Sequence, residues 1–215
     1  MKLVIFDFDG VICDSWRLHA RSYEKTFAAF GKKLRVKTLK KFRGWYDSHW
    51  ENNYYRAGFA EKDVPALQRE YWANVDYGKA EVYAGVKSAL QQLSKKHVLA
   101  LVSTTRMKEI KQVLAKNGLK RFFKILESGE DRSDKKAKIV DAMGRAGAKP
   151  SETVMIGDTV ADVESGRQNG VKTIAVSYGW TSEGKLKKAK PFAMVSKPGG
   201  IPRAVESFFS AKTRR

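Results

Sequence analysis

The chain has 215 residues, 42% of them apolar, with 42 Lys plus Arg against 23 Asp plus Glu and a formal net charge of +19. That length and apolar content suit a globular protein with one sizeable core, or one main domain carrying a smaller insert. A single cysteine, Cys13, excludes an intrachain disulfide and a multi-cysteine zinc site, and no stretch approaches the roughly 20 apolar residues that span a bilayer.

The opening MKLVIF runs straight into acidic residues instead of a long apolar region, so it does not read as a signal peptide. A cytoplasmic protein without a membrane partner is expected, as monomer or homodimer. The positive field attracts anions of any kind, from phosphorylated metabolites to nucleic acid. From charge alone, a solvated lysine-rich surface is the preferred explanation.

In chain order, the first strand-like run is Leu3 to Phe6, ending in "FDFDG". Asp7 and Asp9 lie two residues apart at a strand end, where paired buried carboxylates repel and call for a cation or a shared proton. Oxygen-only ligands suit Mg²⁺. Gly10 lets the chain turn sharply away. Aspartates also end strands and cap helices, which leaves a structural alternative open.

From Asp14 to about Val82 there is no strand-like run. Helical patterns follow one another: Trp16, Ala20, Tyr23, Phe27 and Phe30, then Trp45 to Tyr55, then Val64 to Trp72. An all-helical insert is expected over 15–82, rooted beside the acidic pair, with 1–14 and 83–215 forming the core.

After it, helix-like stretches at Val86 to Leu93, Ile110 to Leu114, Ile139 to Met143 and from Val160 alternate with strand-like runs at Val98 to Val102, Phe122 to Leu126, Thr153 to Ile156 and Thr173 to Val176. This alternation predicts an α/β fold, a parallel sheet covered on both faces, with ligands beyond the carboxyl ends of the strands.

Three more polar sites fall near those strand ends or helix starts. Ser103 and Thr104 in "LVSTT" could hold a phosphoryl oxygen or simply cap the helix beginning near Met107. The lysines of "DRSDKKAKIVDAM" open a helix, where the dipole disfavours cations, although a solvated cluster is an alternative. In "VMIGDTVADVESG", Asp158 ends a strand and Asp162 lies one helical turn on; they could serve a metal, or Asp158 or Thr159 could cap the helix. "GWTSEGKL" has the spacing of a phosphate-binding loop but carries Leu186 where a hydroxyl must stand, so a turn is expected. The final "AKTRR" is expected to be a loose basic tail.

Taken together, "DFDGVICDS", "LVSTT", a helix-start lysine and "IGDTVAD" resemble motifs one to four of the haloacid dehalogenase superfamily of phosphohydrolases. The helical insert resembles that family's cap on a Rossmann-like core, and "VYAGVKSALQQLSKK" and "GDTVADVESGRQNGVKTIAVSYGW" fit the phosphoglycolate phosphatase and β-phosphoglucomutase branch.

The resemblance implies that Asp7 attacks phosphorus and that Asp9 serves as acid, then base. It implies Mg²⁺ held by Asp7, Asp158 and the backbone carbonyl of Asp9, with Asp162 orienting a ligand. Ser103 would bind the transferring group, and Lys135, or its neighbour Lys136, would balance its charge. Thr104 stands where the family commonly has Asn.

Asp9 argues for a phosphatase over a dehalogenase or a phosphonate hydrolase. A β-phosphoglucomutase-like transferase is the competing activity, although Asp47 stands near where the mutases carry an arginine. Arg17, Arg21 and His19, on the first insert helix, are candidates for contacting the substrate, a small phosphate ester such as phosphoglycolate or a sugar phosphate, with the outer surface as the arginines' alternative. A nucleic-acid-binding end-phosphatase is a further alternative, suggested by the charge and by Trp45, Tyr46, Trp50, Tyr54 and Tyr55 among basic residues.

Overall fold

The computed structural model describes residues 2–129 and 134–213. Six parallel strands form one sheet in the spatial order β5-β4-β1-β6-β7-β8. They are β1 (Leu3–Phe6), β4 (Val98–Val102), β5 (Ile125–Glu127), β6 (Thr153–Gly157), β7 (Lys172–Val176) and β8 (Ala193–Val195). Strand β1 lies in the middle, with Ile5 paired to Ala100 of β4 on one side and Met155 of β6 on the other.

Every residue of β1 is buried, as a strand covered on both faces requires. Val4 and Phe6 face helices α5 (Val86–Leu93), α6 (Met107–Lys116) and α10 (Ile201–Thr213), while Leu3 and Ile5 join Ile139, Ala142 and Met143 of α7 (Lys135–Ala146). Helices α8 (Val160–Gln168) and α9 (Glu183–Ala189) complete the layers. The predicted α/β architecture is thus the observed one.

Three elements of the α/β part differ from expectation. The run beginning at Phe122 becomes a strand only at Ile125, because residues 120–122 form a 3-10 turn that buries Phe122 and Phe123 against the core. Strand β8 was not anticipated; with three residues it carries too little pattern to recognise. The C-terminal helix extends through Thr213, so only Arg214 and Arg215 of the basic tail lie outside the described residues, as do Asp131 to Ser133 of the lysine motif.

Residues between the ribbon strands β2 (Cys13–Asp14) and β3 (Glu81–Val82), which pair antiparallel, are helical: α1 (Trp16–Ala29), α2 (Leu39–Trp45), α3 (Glu51–Tyr55) and α4 (Val64–Ala73). They share an aromatic core of Tyr23, Phe27, Tyr54, Phe59, Leu67 and Tyr71. The pattern from Trp45 to Tyr55 is broken. Asn53 Oδ1 accepts from Asp47 N at 2.8 Å, its Nδ2 donates to Asp47 O at 2.9 Å, and Asp47 Oδ1 accepts from His49 N at 2.9 Å. These side-chain bonds satisfy backbone groups that a helix would otherwise use.

Candidate active site

The carboxyl ends of β1, β4 and β6 deliver Asp7, Ser103 and Asp158 to one edge of the sheet. Asp7 N continues the β1–β6 ladder by donating to Ile156 O at 2.9 Å, and Ser103 N continues β4–β5 by donating to Glu127 O at 3.0 Å. Both residues therefore inherit their positions from the sheet. Immediately beyond Asp7 the chain doubles back: Ile12 N and Cys13 N both bond Phe8 O, at 2.8 and 2.9 Å. Gly10 sits in this turn with φ +78°, and a Cβ there would run into Asp158 Oδ2. Only glycine meets both demands.

Lys135 opens α7 behind the N-cap Asp134, whose side chain accepts from Ala137 N at 2.7 Å. Its Nζ lies 3.1 Å from Asp7 Oδ1 and 2.6 Å from Asp162 Oδ1. This explains a cation at a helix start, since two carboxylates outweigh the dipole. Burial works against the Lys135 charge, but Asp162 and Asp7 raise its pKa above the ordinary lysine value. Lys136 is exposed on the same helix.

One ligand oxygen each from Asp7, Asp158 and Asp162 lies within 4.8 Å of the others, all buried. Asp162 is already heavily used: its Oδ2 accepts from Asp158 N, Thr159 N and Thr159 Oγ1 at 3.0, 2.9 and 2.8 Å, a capping box at the start of α8. Asp158 is different. Trp180 N donates to its Oδ2 at 2.6 Å, while its buried Oδ1 has no hydrogen-bond partner among the described residues.

Burial, with Asp162 and Asp9 adding to it and Lys135 opposing, pushes the Asp7 carboxyl up to about 7. Burial, then Asp162 and Asp7, push Asp158 well above the usual carboxylate range. An orphaned buried oxygen in an oxygen-only cluster of excess negative charge fits a hard divalent cation. Asp7 and Asp158 are the residues that would hold it.

Asp9 points its carboxylate elsewhere. Ser15 Oγ and Thr105 Oγ1 each donate to one of its oxygens, and Tyr77 Oη donates to both at 2.9 Å. His19 Nε2 lies 3.5 Å from Asp9 Oδ1. Although burial disfavours charge on Asp9, the contacts from His19, Ser15 and Thr105 hold its pKa below the ordinary value. Two aspartates separated by one residue thus occupy opposite environments.

The other sequence candidates divide clearly. Ser103 is buried and its Oγ accepts from Thr105 N at 3.1 Å. Thr104 is exposed; the structure puts Thr105, not Thr104, against Asp9, because the chain bends after β4, where Thr105 N bonds back to Ser103 Oγ. His19 is buried behind Asp9 and bonded to Tyr71 and Tyr77, which places it away from a substrate-facing surface. Arg17 and Arg21 are exposed, with the Arg17 guanidinium 5.2 Å from the Trp16 ring, so the outer-surface alternative describes them. Of the five aromatics considered for stacking on bases, only Tyr55 is exposed, at 42%.

Several site residues had no sequence signal. Arg43 of α2 reaches across to the core, donating to Gly179 O at 2.9 and 2.7 Å and to Ser177 O at 3.0 Å. The "GWTSEGKL" stretch is indeed turn followed by α9, with Leu186 fully buried. It nevertheless walls the site: Gly179 packs so closely on Asp158 that a Cβ would collide, and the Trp180 ring meets His19, Phe42 and Tyr46 at 4.6, 5.3 and 5.1 Å. Tyr46 lies in the break between α2 and α3. Burial, then the charge of Asp158, raises its phenol pKa, with Lys135 opposing.

Among known proteins, the family model of haloacid dehalogenase-like hydrolases matches residues 4–176. Phosphoglycolate phosphatase of Synechococcus elongatus is 27% identical over 209 residues, covering 95% of this chain and 97% of that protein. The phosphoglycolate phosphatase of Pseudomonas syringae pv. syringae is 28% identical over 210 residues, covering 90% and 75% respectively. A crystal structure described as a predicted phosphatase from Clostridium acetobutylicum superposes with a TM-score of 0.85 at 22% identity, covering 96% of this chain and 98% of that one. The chain belongs to the haloacid dehalogenase-like hydrolases and is a phosphatase-type enzyme of the branch that these relatives represent.

Proposed function

We propose that the chain hydrolyses a small phosphate monoester, phosphoglycolate-like or a sugar phosphate, in two displacements at Asp7, with residues 15–82 acting as a cap. The observation that carries this is the convergence of Asp7, Lys135 and the orphaned Asp158 oxygen at one sheet edge. The relatives named phosphoglycolate phosphatase support the substrate class.

In the first displacement Asp7 attacks phosphorus, the ester P–O bond breaks, and an aspartyl-phosphate forms while Asp9, in its protonated form, passes a proton to the departing oxygen. In the second, Asp9 as carboxylate takes a proton from water, which attacks phosphorus and frees Asp7 and inorganic phosphate. Ser103 Oγ accepts from Thr105 N, which leaves its own O–H to donate to a phosphoryl oxygen. Lys135 balances charge on the transferring group. A Mg²⁺ ion held by Asp7, Asp158 and the Asp9 carbonyl would supply the positive charge that lets an anionic nucleophile meet an anionic phosphate.

Hydrolysis of a panel of phosphorylated small molecules, with and without Mg²⁺ and in Asp7→Asn, tests this. Magnesium-dependent phosphate release abolished by Asp7→Asn is expected. Release that survives that substitution or chelation unchanged overturns the mechanism.

A further inference from the structure

One buried polar chain has no part in the steps above. It begins at Tyr71 on α4, passes through His19 on α1 and Tyr77 beyond α4, and ends on the Asp9 carboxylate. All four residues are less than 9% exposed. Ionised Asp9 only accepts, so the Tyr77 O–H donates to it, and the Tyr77 oxygen then accepts from His19 Nε2–H at 2.8 Å. With His19 Nε2–H used in this way, Nδ1 meets the Tyr71 hydroxyl. One arrangement of protons therefore satisfies the whole chain.

Its geometry bears on Asp9. Equal 2.9 Å distances from Tyr77 Oη to both oxygens put the phenol on the bisector of the carboxylate, with Ser15 and Thr105 on either side. The Tyr77 ring is itself held by stacking on Phe8, centroids 6.0 Å apart and planes at 30°.

We propose that Tyr77, backed by His19 and Tyr71, is a positioning residue that sets the plane of the Asp9 carboxylate and ties it to the seating of α1 and α4. This rests on Asp9 being the acid–base group of the proposed function. Because His19 and Tyr71 belong to those two helices, displacing them removes the donor behind Tyr77.

The test compares kcat/KM for an alkyl phosphate, whose leaving oxygen needs a proton, with that for nitrophenyl phosphate, whose leaving group departs without one. Asp9→Asn comes first and is expected to lose about 100-fold or more on the alkyl ester and far less on the aryl ester. Full alkyl activity in Asp9→Asn would overturn the role of Asp9, and with it the proposed function. Given that loss, Tyr77→Phe keeps the ring and is expected to lose about tenfold on the alkyl ester, through kcat with KM little changed, and under about twofold on the aryl ester. Tyr71→Phe, which does not touch Asp9, should show the same selectivity more weakly, and it decides the matter if Tyr77→Phe does not fold. Equal losses on both esters, or none in either tyrosine variant, would overturn the positioning role.

Discussion

Lys135 Nζ stands 3.1 Å from Asp7 Oδ1 and is held there by Asp162 at 2.6 Å, so the nucleophile of the proposed reaction meets its countercharge before any substrate arrives. Removing one partner of a buried ion pair leaves the others uncompensated. Lys135→Met is expected to cost about 3–5 kcal/mol in the metal-free protein and about 100-fold or more in kcat/KM. Lys136→Met, on the exposed face, should leave both unchanged within about 0.5 kcal/mol. Thermal melts and steady-state kinetics on the two variants decide which lysine serves the site.

Asp158 Oδ1 is buried and without a hydrogen-bond partner among the described residues, so metal stabilisation should depend on it. Saturating Mg²⁺ at about 100 times its dissociation constant is expected to stabilise the native protein by about 2.7 kcal/mol. In Asp158→Asn the Mg²⁺-induced rise in Tm should vanish. A rise of the same size in that variant would remove Asp158 from the metal.

The acidic cluster also sets a pH dependence. The Asp7 carboxyl, with an ordinary value of 3.8, is pushed up to about 7 in the folded chain, and Asp158 shifts in the same direction. A raised folded-state value means the contribution to stability is present below about pH 4 and is lost as pH rises through about 7. Metal-free protein should therefore lose Tm between about pH 4 and 7 on this account, and the stabilisation by Mg²⁺ should grow over the same interval. Differential scanning calorimetry with chelator and with Mg²⁺ measures both.

Gly10 combines φ +78° with contact on Asp158. Gly10→Ala is expected to cost about 2–4 kcal/mol, from left-handed backbone and from displacement of that carboxylate, and to remove most activity. Chemical denaturation and phosphate release check the two parts. Native-like activity in this variant would show that Asp158 does not need its present position.

Arg43 binds two core carbonyls from the helical side, so it contributes to closing the seam. Arg43→Met should speed amide exchange across residues 177–182, corresponding to about 2 kcal/mol of local stability, and raise KM. Unaltered exchange there would show that aromatic packing around Trp180 holds the seam without it.

Much of the core was legible because its strands are buried on both faces and read as unbroken apolar runs: Leu3 to Phe6 and Val98 to Val102 match the observed strands residue for residue. The helical segment was less legible. Its aromatics repeat at helical spacing through Trp45 to Tyr55, yet hydrogen bonding between Asp47 and Asn53 opens the chain there, with the Tyr46 ring packed on Phe42 and Trp180. Thr105 carries no strand signal, because the bend after β4, closed by Thr105 N on Ser103 Oγ, is what turns it toward Asp9.

What the sequence determined by itself is the placement of chemistry at strand ends: Asp7, Ser103 and Asp158 follow three apolar runs, and a parallel sheet must bring such positions to one edge. Only the tertiary structure decided which environment each group meets. Asp7 and Asp9 are neighbours of one type, but Lys135 and Asp162 close on the first while Ser15, Tyr77, His19 and Thr105 surround the second. Those partners come from 6 to 155 residues away, and burial magnifies whatever charge or donor the fold sets beside each carboxylate, which no local pattern encodes.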